Sequence, residues 1–332
     1  MDDPRPPSHS PVVDAVVIGR NEGARLLACL AALQGQVRHV VYVDSGSTDG
    51  SVAAAAAAGA EVVRLDMSRP FTAARARNAG LAEVARRQPR AEFVQLLDGD
   101  CEMRSGWVAR GLEAFAEDPG VVVVCGRRRE RHPEVSVWNR LCDREWDTPA
   151  GEALACGGDA LMRLGPVLAV GGYREELIAG EEPELCQRLR RAGGRILRIE
   201  AEMTWHDAAM TRFGQWWRRS RRAGHAFAEG AALHGVGPDR HWVAETRRAL
   251  IWGLGVPLLA LLAGLLHPAG FLILGLWPAQ ILRLWLRWRE EGRAGLEAAV
   301  FTLLGKLPEA LGVMEYHLGR LGGRRRGLIE YK

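Results

Sequence analysis

Three short polar clusters follow apolar runs in the first hundred residues, and each holds residue types that can grip a ligand: Gly19-Arg20-Asn21-Glu22, Asp44-Ser45-Gly46-Ser47-Thr48-Asp49-Gly50 and Asp98-Gly99-Asp100. The last is the sharpest. Two carboxylates flank a glycine just beyond the run 93–97. A hard divalent cation such as Mg²⁺ or Mn²⁺ takes oxygen ligands, commonly one or two carboxylates plus phosphate oxygens. The glycine lets the backbone turn so that both acids face one site, although an ordinary Asp-Gly turn uses the same residues. Asp44 ends an apolar run, where a carboxylate is costly without a partner. It can accept hydrogen bonds from a nucleobase edge, or join Ser47 and Asp49 in a turn that caps the next helix. Asn21 and Glu22 have the same two readings. Further on, Glu181-Glu182 stand just before Pro183. Acids and proline in a first helical turn suit the helix dipole with no further role. In the functional alternative, one of the two carboxylates is a general base that takes a proton from an attacking hydroxyl. His206 closes the run 196–205, and a lone histidine there is most simply structural.

The elements that must position these groups alternate. Strands are predicted at 12–18, 40–43, 61–65, 93–97 and 121–125, and helices at 24–33, 51–58, 72–87 and 106–116. The six consecutive alanines at 53–58 read as helix by propensity. Strands alternating with helices imply an α/β domain with a mostly parallel sheet flanked by helices and joined by right-handed crossovers. Ligands of such sheets bind beyond the carboxyl ends of the strands, which is where the three polar clusters fall. Residues 126–206 are expected to be less regular, with a helix at 182–191 in which Glu184 can pair with Arg188.

The composition changes after about residue 245. Residues 249–266 carry no charge, His267-Pro268 interrupt, and 269–282 are apolar again. Arg247 and Arg248 precede the pair, Arg283, Arg287 and Arg289 follow it, and the bend carries no Lys or Arg. The first stretch approaches the ~20 residues that cross a bilayer, and the charge pattern is that of a hairpin with both ends in the cytoplasm. Trp252, Trp277, Trp285 and Trp288 suit the interfaces. The alternatives are a buried helical pair in a soluble domain and a re-entrant or interface-lying hairpin. The expected organisation is therefore a disordered N-terminus at 1–11, a ligand-binding domain at 12–206, amphipathic helices at 207–248, a hydrophobic and probable transmembrane hairpin at 249–288, and an amphipathic helix with a basic tail at 289–332. Within the last segment, 296–318 reads as one helix and Arg324–Arg326 as a lipid-facing or simply solvated cluster.

Several classes are excluded. With 332 residues and a net charge of +4, the chain lacks the strongly basic stripe of a nucleic-acid binder. Its six cysteines form no C-x-x-C pair, so neither a zinc site nor a disulfide framework is expected. The polar, Pro-rich start lacks the apolar core of a signal peptide, so the following domain is expected to stay in the cytoplasm. No G-x-G-x-x-G, G-x-x-x-x-G-K-[ST] or G-x-S-x-G occurs, which argues against a dinucleotide-binding domain, a P-loop nucleotidase and a serine hydrolase.

Taken in order, the motifs resemble those of family 2 glycosyltransferases with the A-type nucleotide-sugar-binding fold. Val17-Ile18-Gly19-Arg20-Asn21-Glu22 is similar to the family's opening strand and Asn-Glu pair, and residues 43–50 to its V-D-D-G-S-T-D-G signature. Arg75-Ala76-Arg77-Asn78-Ala79-Gly80 resembles A-R-N-x-G, Asp98-Gly99-Asp100 the D-x-D motif, and Gly180–Leu185 with Arg188-Leu189 the G-E-D-x-E-L-x-x-R-L element. The resemblance covers 16–206. It implies an inverting transfer from a nucleoside diphosphate sugar, UDP-linked in many members, with Mg²⁺ or Mn²⁺ as cofactor. Asn21, Glu22, Asp44, Ser47, Arg77, Asn78 and Asp98 would bind the donor, Asp44 at the base and Asp98 near the ribose. Asp100 and His206 would hold the metal. Glu182 stands where the family places an Asp base, and either it or Glu181 makes the acceptor contact. Gln215-Trp216-Trp217-Arg218-Arg219 partly resembles the Q-x-x-R-W element of processive synthases, but 216–222 read more simply as an amphipathic interface helix. The end, 328–332, resembles those of bacterial envelope-polysaccharide members. The acceptor would then be lipid-linked or a glycan, and the catalytic domain would face the cytoplasm at the bacterial inner membrane, against its lipids. Two competing readings are a nucleotidyltransferase, whose Gly-rich, Lys-containing loop is missing from 12–25, and a non-catalytic membrane scaffold that keeps the fold.

Overall fold

The computed structural model describes residues 11–322. The predicted features at 1–10 and 323–332, including Arg324–Arg326 and the 328–332 end, lie outside the described residues. The chain divides into two units, one made of residues up to 131, 145–176 and 181–207, and another made of 132–144, 177–180 and 208 onward.

The first unit is built on nine strands: β1 (Val13–Gly19), β2 (Val40–Asp44), β3 (Glu61–Arg64), β4 (Phe93–Asp98), β5 (Cys101–Met103), β6 (Val121–Glu130), β7 (Gly151–Glu152), β8 (Ala160–Arg163) and β9 (Arg195–His206). Their spatial order is β3-β2-β1-β4-β8-β6-β9-β5, with β7 beside β9. The helices are α1 (Ala24–Leu33), α2 (Ser51–Ala57), α3 (Ala73–Arg86) and α4 (Trp107–Glu117), then α5 (Val137–Glu145), most of which belongs to the second unit, α6 (Leu164–Ala169) and α7 (Glu181–Arg191). Strand β1 is buried on both faces, which is why it reads as a continuous apolar run. Its one acid, Asp14, is fully buried and held by Arg38 at 2.9 and 2.7 Å. Helix α3 lies close against β1 because Gly80 sits on Val16, where any added Cβ would overlap the valine.

The expected parallel order holds for β1 with β2 and β4, and for β2 with β3. The sheet as a whole is mixed. Strand β8 runs antiparallel to both β4 and β6, and β5 and β7 run antiparallel to β9. The strand predicted at 121–125 forms and runs on to residue 130 as the ten-residue β6, and the stretch expected to be irregular also holds the twelve-residue β9, which pairs with β6 in parallel. Their outer halves carry Arg127-Arg128-Arg129-Glu130 and Glu200-Ala201-Glu202, and this polar content hides their strand character from a reading based on apolar runs. The salt bridge predicted in α7 forms, Arg188 Nη2 to Glu184 Oε2 at 2.7 Å.

The second unit is helical: α8 (Phe213–His234), α9 (Val243–Leu250), α10 (Val256–Leu266), α11 (Leu276–Arg287), α12 (Arg293–Leu304) and α13 (Lys306–Leu321). A π-helical turn at Ile251–Gly255 makes α9 and α10 one continuous rod, and Pro268–Gly275 is a 3-10 helix. The single helix expected at 296–318 is two, broken at Gly305. Helix α13 packs on α8 backbone to backbone, because Gly224 faces Glu309 and Gly312 faces Arg221. Trp216, expected at a membrane interface, is buried edge-on to Phe301 at 5.2 Å.

Candidate functional site

The register of three parallel strands fixes the first part of the site. Gly19 of β1 is level with Asp44 of β2, and Ile18 is level with Asp98 of β4. Asp44 and Asp98 therefore end strands on either side of β1, two strand spacings or about 10 Å apart across the sheet. Between them lies Glu22, paired with Arg25 at 2.7 Å. Its Cγ covers Gly19 and Gly99, and a Cβ at either glycine would come within 3.2 Å of it.

The loops after β1 and β2 are latched together. The Asn21 backbone N–H donates to Ser47 Oγ at 2.9 Å, and Asn21 Oδ1 accepts from the Thr48 N–H at 2.7 Å. Asn21 adopts a φ of +56° to do so. Asp44 is buried: its Oδ2 accepts from the Gly46 and Ser47 N–H groups, both at 3.0 Å, and its Oδ1 from the Tyr42 hydroxyl at 3.2 Å. The turn reading of Asp44 is thus realised, and this turn holds the carboxylate at the strand end. Asp49 Oδ1 accepts from the Ser51 N–H and hydroxyl, and these bonds hold its carboxyl below the usual range.

Arg77 organises the acids. Buried on α3, it reaches Asp98 Oδ1, Glu181 Oε1 and Glu182 Oε1, each at 2.8 Å, with the Tyr173 ring 5.6 Å from its guanidinium carbon. Burial opposes its charge, but Glu182, Asp98 and Glu181 outweigh burial and hold Arg77 protonated above its ordinary range. Burial also pushes the Glu182 carboxyl up to about 7; Arg77 resists the rise, and Glu181 and Asp98 add to it. One buried guanidinium among three carboxylates cannot fully stabilise every negative charge, so one acid keeps a proton to higher pH. A carboxyl poised near neutral pH is suited to general-base work.

Asp100 and His206 meet on a second register. Strands β5 and β9 place Cys101 opposite His206, and β6 and β9 place Glu130 opposite His206. His206 Nε2 lies 3.5 Å from Asp100 Oδ1, and Nδ1 lies 3.7 Å from Glu130 Oε2, with Asp100, His206 and Glu130 all buried. Trp146 packs edge-on to the imidazole at 4.7 Å. Asp100, Cys101 and His206 offer ligand atoms within 4.8 Å of one another. A carboxylate oxygen and an imidazole nitrogen suit a divalent cation of the Mn²⁺ or Mg²⁺ kind, and Glu130 stands behind the other ring nitrogen, just beyond hydrogen-bond distance, where a carboxylate commonly supports a metal-bound histidine. These residues fit such an ion. Cys101 adds little to the fit, because burial raises its thiol well above the range in which it gives up a proton.

Asn78 donates from Nδ2 to Glu175 Oε1 at 3.3 Å. Its Oδ1 accepts from the Tyr173 N–H and its Nδ2 donates to the Tyr173 carbonyl, both at 2.8 Å, which makes it an anchor for that loop. Sequence reading missed Glu130, Trp146 and the pair Arg128–Asp159. Arg128 binds fully buried Asp159 at 2.6 Å, stands 3.6 Å from Asp98 and covers the Trp146 ring at 5.3 Å. The basic-acidic run 127–130 was the available signal, but nothing local shows that it continues a strand.

Residues 14–158 match the profile of the family described as Glycosyl transferase family 2. Two curated relatives, the pre-mycofactocin glycosyltransferases of Mycobacterium tuberculosis strains CDC 1551 / Oshkosh and H37Rv, are 30% identical over 263 residues, 71% of this chain and 51% of theirs. The chain thus spans about half the length of the curated relatives it matches. Among solved structures, the mannosyltransferase PcManGT from Pyrobaculum calidifontis, in complex with GDP-Man and Mn²⁺, aligns with a TM-score of 0.59 and 22% identity over 90% of this chain and 88% of that one. S. aureus TarS 1–349 aligns with a TM-score of 0.52 and 14% identity over 93% and 92%. At these identities the likeness is one of fold, the A-type glycosyltransferase fold.

Proposed function

We propose, on the premise that the chain belongs to glycosyl transferase family 2 through residues 14–158, that it transfers a sugar with inversion from a nucleoside diphosphate donor, UDP-linked, to a lipid-linked or polysaccharide acceptor. The observation that carries this reading is the convergence of Asp98, Glu181 and Glu182 on Arg77, with Glu182 pushed up to about 7. Glu182 takes the proton of an acceptor hydroxyl as that oxygen attacks the anomeric carbon, and the bond from carbon to the diphosphate oxygen breaks in the same displacement. Glu181, more buried than Glu182, fixes the Arg77 guanidinium. Asp98 lies near the ribose, and Asp44, Ser47, Asn21 and Glu22 form the nucleotide end of the site. Asp100 and His206 would hold the Mg²⁺ or Mn²⁺ ion. When bound, the ion supplies positive charge against the departing diphosphate. PcManGT with its GDP-Man and Mn²⁺ supports both the donor class and the metal.

The apolar helices Val243–Leu266 and Pro268–Arg287 support membrane association. Arginines at both ends and none at the bend support a catalytic unit on the cytoplasmic face of a bacterial inner membrane. The test is a panel of nucleotide sugars bound in the presence of Mn²⁺, followed by transfer to a membrane extract, to glycans and to pre-mycofactocin, for which the mycobacterial relatives are named. Asp100→Ala is expected to lower metal-dependent turnover by about a thousandfold, the equivalent of several kcal/mol of charge stabilisation, with an unchanged circular dichroism spectrum. Near-normal turnover would remove the central assignment.

A further inference from the structure

The two apolar helices, 24 and 20 residues long, are each long enough to cross a bilayer, but the second unit shortens the part that lipid can reach. At the near end, Gly253 lies against the Lys306 backbone, and Lys306 pairs with Glu309 at 2.5 Å. Charged side chains are costly in hydrocarbon, so this level is taken as the membrane interface. Below it, α10 runs eleven residues to Leu266, about 16 Å at 1.5 Å per residue. The bend follows, where His267 Nδ1 accepts the Ala269 N–H at 3.2 Å and so satisfies a backbone donor. The return leg is the eight-residue 3-10 helix Pro268–Gly275, again about 16 Å at 2.0 Å per residue. The legs are matched and paired: Gly270 faces the Ala263 backbone, and Gly264 faces the Phe271 ring. Their outward side chains are open, with Leu265 at 74%, Leu266 at 89% and Leu272 at 79% exposure.

Helix α11 then changes character. Gln280, Arg283 and Arg287 form one stripe at helical spacing, and Trp277, Ile281, Leu284 and Trp288 form another. Its end is held among charges: Arg144 lies over the Trp288 ring at 4.4 Å and pairs with Glu291. That pattern fits a helix lying in the headgroup zone.

We infer that the hairpin enters a single leaflet of a phospholipid bilayer, with its bend near the midplane and α11 at the interface. Matched legs of about 16 Å are half of a ~30 Å hydrocarbon core. Ile251 and Leu254 before the first leg, and Leu276 and Leu282 after the second, are also exposed; in this arrangement they lie at the headgroup level. This inference rests on the membrane association proposed above.

The test uses the full chain with one added cysteine, since all six native cysteines are buried. Leu266→Cys, with Leu272→Cys as the second position, is probed by a membrane-impermeant maleimide in right-side-out and inside-out vesicles, and Val236→Cys serves as an exposed control. The inference expects loss of tip labelling in both orientations, its recovery in detergent, and quenching of a tip fluorophore by spin labels near the ends of the acyl chains. Labelling from the face opposite the control means that the hairpin spans, and overturns the inference. Labelling from the control's face means that it does not enter, and overturns it equally. A chain that stays soluble without detergent fails the membrane reading itself.

Discussion

In the proposed function, Glu182 serves proton transfer and Glu130 the alignment of a metal ligand. A base must be ionised, so a carboxyl pushed up to about 7 is idle below that pH and competent above it. At saturating metal, kcat/KM is therefore expected to rise with pH through about 7 to a plateau, and Glu182→Gln to remove that rise. The same substitution should cut kcat by about a hundred- to ten-thousandfold with little change in donor KM, the range for loss of a positioned base. Equal losses in both parameters would give Glu182 a structural role. Glu130 has no path to substrate in this reading and acts through His206. Glu130→Gln is expected to weaken Mn²⁺ affinity about ten- to a hundredfold, the usual cost of removing the carboxylate behind a metal-binding histidine, measured by titration of the ion without substrate. Asp44 and Asp98 were legible because each ends an apolar run, and Glu181-Glu182 because they stand just before Pro183. Arg77 as the common partner of Asp98 and the glutamate pair was not, since Asp98 and Glu181 lie 21 and 104 residues away in sequence.

At the level of elements, β1 to β4 and their helices were legible almost to the residue, because β1, β2 and β4 are apolar runs buried on both faces and turn residues bound even the short, partly buried β3. The failures share one cause. Strands β6 and β9 extend past their apolar halves into charged residues whose partners are Asp159, Glu202 and Asp147, and pairing of this kind leaves no hydrophobic period to read. Likewise, Gly305 breaks a helical pattern whose polarity on either side is continuous. The contact of Gly80 with Val16 sets how closely α3, and with it Arg77, approaches β1. Gly80→Ala is expected to destabilise the fold by about 1–3 kcal/mol through overpacking, despite its better helix propensity. Urea unfolding would detect this as a lower midpoint at unchanged slope; a stabilised protein would contradict the packing argument.

For the whole molecule, the apolar hairpin predicts how the protein is extracted. A chain held by exposed leucines should stay with membranes in high salt and leave them in detergent, whereas one held by its arginines would be released by salt alone, because screening shortens electrostatic reach to about 3 Å at 1 M. Sedimentation under the two conditions separates these outcomes. The chain also threads between its two units more than once: residues 132–144 and 177–180 leave the sheet-bearing unit and belong with the helices that begin after 207. In the helical unit, buried Asn139 accepts from the Met210 N–H at 3.1 Å, and Arg140 binds Glu297 at 3.0 Å. Neither half is therefore a detachable cassette. A chain ending at Asp207 would keep 132–144 and 177–180 but lose the helices they belong with, so separating the sheet-bearing unit takes new surface on 132–144 as well as a moved stop codon.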